Sequence, residues 1–127
     1  MQAYLLIATG GALGSVARYW MANAIDGHHT TGFPWGTVLV NILGSFVIGA
    51  AAALVLGRGL WTDNARLFVM VGICGGFTTF SSFSLQTLSL LRDGYILRAG
   101  GNVAISVIAC LLATWAGLAL VQAATRA

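Results

Sequence analysis

The sequence predicts an all-α integral membrane protein with four transmembrane helices, the third of them broken in mid-membrane. Three observations lead there. Of the 127 residues, 58% are hydrophobic and only 7% charged, whereas a soluble globule carries about 25% charged residues. Four apolar stretches each supply the roughly 20 residues that a helix needs to cross a hydrocarbon core about 30 Å thick. The third stretch carries a glycine pair followed by a run of hydroxyl residues, which makes a poor continuous helix.

The spans are placed at about 2–23, 35–56, 65–91 and 99–124, and together they make residues 1–127 a single four-helix transmembrane domain. Asp26 to Gly32 reads as the first loop. Span two starts just after Pro34, whose missing N–H is harmless at a helix start. Gly57-Arg58-Gly59 opens a second loop that runs through Asp63 and Asn64, and Arg92-Asp93-Gly94 ends span three. The N-terminus lacks a basic region and enters a full-length span directly, so no cleaved signal peptide is expected. Four crossings leave both termini on one side of the membrane.

Charge is sparse. Lysine and glutamate are absent; the acids are Asp26, Asp63 and Asp93, and the bases Arg18, Arg58, Arg66, Arg92, Arg98 and Arg126. An isoelectric point near 9.4 suggests nucleic acid in a soluble protein. Here the arginines flank apolar spans, so they anchor at lipid headgroups and no nucleic-acid partner is expected. The terminal side carries Arg58, Arg66 and Arg126, and the other Arg92 and Arg98, joined by Arg18 if it snorkels. Such balance gives little instruction about orientation. It fits a chain that inserts both ways and pairs as an antiparallel dimer, and equally a fixed topology set by weak cues. Cys74 and Cys110 lie inside spans and are expected as free thiols.

Polar side chains in hydrocarbon are costly unless they face protein or water, so their pattern is informative. Thr37, Asn41 and Ser45 recur every fourth residue in span two, and Asn102, Ser106, Cys110 and Thr114 do so in span four. Each series shares one helix face. Hydroxyls can bond to their own preceding turn. A carboxamide at mid-span, with two donors and two acceptor sites, finds little there, and this singles out Asn41. Gly10, Gly14 and Ala17 give span one a small-residue face suited to close helix packing.

Span three reads Gly72-Ile73-Cys74-Gly75-Gly76-Phe77-Thr78-Thr79-Phe80-Ser81-Ser82-Phe83-Ser84. A break near Gly75 to Thr79 would free carbonyls able to hold a cation and N–H groups able to meet an anion. It is tolerable only where protein or a water-filled cavity receives those groups. Phe77, Phe80 and Phe83 recur every third residue along one flank. Phenyl edges are electropositive, so the rings suit a small anion; packing alone also accounts for such a stripe.

These residues carry a family resemblance. Gly11-Ala12-Leu13-Gly14 with Arg18-Tyr19, the run Gly36 to Gly44 around Asn41, and Gly75 to Ser84 occur in order along essentially the whole chain. The chain thereby resembles the Fluc, or CrcB, family of fluoride channels. The resemblance implies a dual-topology, antiparallel homodimer in the bacterial inner membrane that exports fluoride passively through two pores between the subunits. It implies that Phe80 and Phe83 line each pore with ring edges beside Thr79 and Ser81, and that Asn41 donates to the ion. Asn102, Ser106 and Cys110 fall on a polar track, and Arg18 lies near an aqueous vestibule. The backbone carbonyls of Gly75 and Thr78, doubled across the dimer axis, are implied ligands of a structural sodium ion (Na+). Three positions depart from the family pattern: Phe77 replaces a common Leu, Gln86 a common Glu, and Cys110 a hydroxyl residue.

Rival readings lack their chemistry. A proton-coupled drug exporter needs a carboxylate within the membrane, and every acid here lies in a predicted loop. An assembly protein gives no reason for the Phe and hydroxyl run. An enzyme is not expected, since the spans offer no carboxylate, histidine or metal-ligand cluster. His28 and His29 read as a solvated loop pair.

Overall fold

The computed structural model describes residues 1–28, 32–58 and 62–126, with the backbone alone for 56–58. The described chain is helical with no strand. Helix α1 is Gln2–Asp26, α2 is Trp35–Arg58 and α6 is Ile96–Arg126. Between α2 and α6 lies a composite helix: α3 (Asp63–Arg66), a π-helical segment (Leu67–Cys74), α4 (Gly75–Phe77) and α5 (Phe80–Arg92). Of the predicted loops, His29, Thr30, Thr31, Gly59, Leu60 and Trp61 lie outside the described residues.

Three helical stretches are long and apolar enough to cross a membrane: Trp35–Val55, Asp63–Arg92 and Ile96–Arg126. Helix α1 has 25 residues, about 37 Å at 1.5 Å per residue. It is less apolar because glycines, Thr9, Ser15 and Arg18 interrupt it. The helices extend a few residues beyond the predicted spans because polar ends carry on the backbone ladder. Asp26 closes α1 and serves the next helix as well: its Oδ1 accepts the Gly36 N–H at 2.7 Å, an orphan donor of the first turn of α2. Thr62 caps α3 by accepting the Ala65 N–H at 3.3 Å. Gly94, at φ 84°, reverses the chain after α5. That left-handed turn lets Tyr95 N–H reach back to the Leu90 carbonyl at 2.8 Å.

Two helix pairs form the body. Helices α2 and α6 pack along most of their lengths, and α1 packs against the π-helical segment and α4. Backbone proximity decides both. A Cβ at Gly117 would strike the Phe46 carbonyl, and one at Gly49 the Thr114 carbonyl. On the other pair, Gly14 lies against the Ile73 carbonyl and Gly76 against the Gly11 carbonyl. Small residues at such contacts let backbones approach where no water is present to drive association. The described buried core is slight, with Val38, Val40, Ala51, Ala53, Cys74, Leu90 and Ala99 in it. Broad apolar faces remain uncovered on α1, α5 and α6.

Candidate functional site

The composite helix is interrupted at Thr78 and Thr79. Thr78 has φ −83° and ψ 155°, and Thr79 φ −149° and ψ 111°, both extended. Both lie inside the expected 75–79 stretch, while the glycine pair at its start stays helical, with Gly75 at φ −63° and ψ −37°. The change of direction falls on the two threonines, whose side chains and neighbours supply the bonds the ladder loses.

Those bonds account for the gap atom by atom. Thr79 Oγ1 accepts the Ser82 N–H at 3.2 Å and so caps α5. Thr79 N–H donates to Asn41 Oδ1 at 2.7 Å, and Asn41 Nδ2 donates to the Thr79 carbonyl at 3.1 Å. The carboxamide of α2 thus stands in for a helical turn. On the N-terminal side, Thr78 N–H and Oγ1 both donate to the Cys74 carbonyl, at 3.0 and 2.9 Å. The Gly76 carbonyl accepts from Arg18 Nε at 3.1 Å and from Ser15 Oγ at 3.4 Å. The carbonyls of Gly75 and Thr78 differ: the amides four residues on, Thr79 and Ser82, have turned to Asn41 Oδ1 and Thr79 Oγ1. Both have lost their helical donors.

Beside the break opens a cleft of about 430 Å³. Asn41, Gly75, Thr78, Thr79, Phe80, Phe83, Ser106 and Cys110 line it together with Ser45 and apolar residues. The Phe80 and Phe83 rings stand 5.2 Å apart, centroid to centroid, tilted by 46°. Phe83 is buried whereas Phe80 is 78% exposed at the lip. A Cβ at Gly75 would meet nothing within 4 Å, so the cleft is uncovered on that side of the single chain.

Other sequence-predicted residues lie around the cleft. Ser81 is exposed, its Oγ 3.2 Å from Thr79 Oγ1. Asn102 is buried, 1% exposed, and donates through Nδ2 to Thr87 Oγ1 at 2.8 Å, while its Oδ1 accepts from Ser106 at 3.4 Å. Arg18 is half-buried on the α1 side of the break, away from the cleft lining. The expected single flank of three phenylalanines is split. Phe80 and Phe83 belong to α5, while Phe77 ends α4 with its ring beside Gly44, because two extended residues intervene. Thr114 bonds back to the Cys110 carbonyl at 3.0 Å, and Ser84 to that of Phe80 at 2.9 Å. These hydroxyls satisfy their own helices. Ser15 and Thr87 were not singled out from sequence. Only the fold brings Ser15 to Gly76, or Thr87 to Asn102.

A second cleft, also about 430 Å³, is lined by Asp26, Pro34, Gln86, Ser89 and Asp93 among others. Gln86 Oε1 is buried there without a donor among the described residues. Of the loop histidines, His28 Nδ1 lies 2.6 Å from the Ala24 carbonyl, and His29 is outside the described residues. Among the described residues no group of three or more His, Cys, Asp and Glu side chains could hold a metal ion.

Comparison with known proteins adds an independent line. A family model described as "CrcB-like protein, Camphor Resistance (CrcB)" matches residues 5–118. A protein of Methylocella silvestris named fluoride-specific ion channel FluC is 55% identical over 116 residues, covering 90% of this chain and 88% of that one. Relatives of the same name in Opitutus terrae and Rhodospirillum rubrum are 56% identical over 119 residues and 53% over 116. They cover 92% and 90% of this chain, and 90% of each relative.

Proposed function

The chain belongs to the CrcB-like family, and from that premise we propose that it is a passive, fluoride-selective channel exporting fluoride across the bacterial inner membrane. The observation that carries the reading is the Phe80–Phe83 ring pair at the mouth of a cleft built on an interrupted helix. A fluoride ion leaving water needs donors and a positive field, and has no use for acceptors. Ring edges supply the field. A donor is at hand in Asn41, which holds Thr79 through one N–H and keeps a second on Nδ2, and the hydroxyls of Thr79, Ser81 and Ser106 would turn an O–H to the ion in exchange for their protein partners. Asn102 and Cys110 continue this polar track on α6.

In this reading α1 is the fourth crossing, and the cleft is completed by a second, inverted copy of the chain. Supporting it are the exposed Phe80, the open side at Gly75 and the uncovered apolar faces. The balanced arginines permit either orientation. Two pores then lie at the seam of an antiparallel homodimer. The residues also fit a sodium ion. Gly75 and Thr78 have carbonyls that lost their helical donors, and doubling them across the seam gives an oxygen ligand set. Bound there, the cation would supply the positive charge that neutralises those carbonyls and ties the copies together. No enzymatic activity is assigned, in keeping with relatives named as ion channels.

The test is efflux from liposomes holding the purified protein. Fluoride is expected to leave quickly and chloride to be retained, with no dependence on a proton gradient. Equal passage of both anions, or none of either, would sink the proposal.

A further inference from the structure

Arg18 is implied, by resemblance, to attract anions at a vestibule, a task that asks only for positive charge. Its surroundings ask for more. The close approach of α1 to α4, backbone against backbone at Gly11 and Gly76, brings Arg18 one to two turns along α1 to the edge of the break. There Nε, the inner nitrogen of the guanidinium, donates to the Gly76 carbonyl at 3.1 Å, and Ser15 Oγ approaches the same oxygen at 3.4 Å. That carbonyl is one the interruption would strip of its helical partner, and a buried carbonyl without a donor is costly. Asn41 clamps the other side of the gap at Thr79.

We propose that Arg18, assisted by Ser15, is a positioning residue that fixes the break of the third span by holding the Gly76 carbonyl. Asn41 and Arg18 then grip the interruption from α2 and α1, so each chain carries a preformed break before any partner docks. The shape of the side chain decides its role. Lysine keeps the charge but places a methylene where arginine has Nε, so it removes that fixed N–H donor and preserves the field.

The clamp is tested by hydrogen exchange, read by mass spectrometry on the full chain in detergent, for wild type, Arg18→Lys and Ser15→Ala. A hydrogen bond from a charged donor, once lost, is expected to speed exchange across residues 75–84 by about tenfold in Arg18→Lys, with α6 unchanged. The weaker Ser15→Ala contact is expected to speed the same amides about twofold. Unchanged exchange at 75–84 in Arg18→Lys, or acceleration spread over the whole chain, overturns the proposal. If that variant does not fold, unchanged exchange in Ser15→Ala overturns it. Fluoride efflux is measured in parallel, since the consequence for transport rests on the proposed channel. There Arg18→Lys is expected to lose about nine-tenths of the flux despite its charge. Wild-type flux in Arg18→Lys overturns the positioning role and restores simple anion attraction. Absence of fluoride efflux from wild type removes the channel reading and leaves the clamp to the exchange result.

Discussion

Asn41 holds both the N–H and the carbonyl of Thr79, so its side chain is structural and, in the proposed channel, also faces the ion. The two tasks separate by mutation. Asn41→Ala leaves two backbone groups without partners at about 1–3 kcal/mol each, and is expected to lower the melting temperature in detergent along with flux. Asn41→Asp keeps the bond from Thr79 N–H but sets a negative charge in the cleft. At 4 Å and an effective dielectric of about 20 that repulsion is about 4 kcal/mol. Fluoride efflux is therefore expected to fall by at least about a hundredfold, and undiminished efflux would take Asn41 off the ion path. Phe80 offers the complementary case. Being 78% exposed in the single chain, it should tolerate Phe80→Ile within about 0.5 kcal/mol of that chain's own folding stability. Flux through the variant is expected to fall by roughly tenfold, the value of a favourable ring-edge contact. Phe83→Ile should lose flux in the same way with a larger cost to folding, since Phe83 is buried.

Helix pairing is governed by glycines whose missing side chains let carbonyls pass. At Gly117 a Cβ would lie 2.9 Å from the Ala50 backbone nitrogen and closer still to the Phe46 carbonyl. Helices cannot yield there without parting, so Gly117→Ala is expected to cost about 1–3 kcal/mol. Gly100 on the same helix meets nothing within 4 Å, and Gly100→Ala should keep or slightly raise stability through better helix propensity. Thermal unfolding in detergent checks the pair, and a reversed order would refute this account of α2–α6 packing. The composite helix has a different logic. Its extended threonines survive because α1 and α2 meet the backbone groups freed beside them.

Taken whole, the molecule leaves much of its apolar surface and one side of its cleft uncovered, which a bilayer and an inverted copy would cover. If Gly75 and Thr78 hold sodium between copies, depleting sodium should abolish fluoride efflux. Returning sodium should restore it, and potassium, larger than the site's natural occupant, should not. Full activity after rigorous depletion argues against the site. Balanced arginines make a second expectation: an epitope at the C-terminus should label from both faces of the membrane in comparable amounts, and labelling from one face only would exclude dual insertion.

The helical class, three of the apolar spans and the neighbourhood of the extended Thr78–Thr79 pair were readable from the sequence, because hydropathy and the conformational habits of glycine and threonine are local properties. Asn41, Phe80, Phe83, Ser106 and Cys110 were legible as a polar and aromatic set for the same reason: their spacing puts them on shared faces. Tertiary structure decided where within residues 75–79 the break falls. Within the expected 75–79 stretch Gly75 and Gly76 remain helical and Thr78 and Thr79 are extended, with Asn41, Arg18 and Ser15 bonded to the backbone beside them. It also separated Phe77 from its two companions and tied Asn102 to Thr87. A backbone in hydrocarbon can leave its helix only where some other element answers its polar groups, and which elements stand near enough is a property of the packed chain.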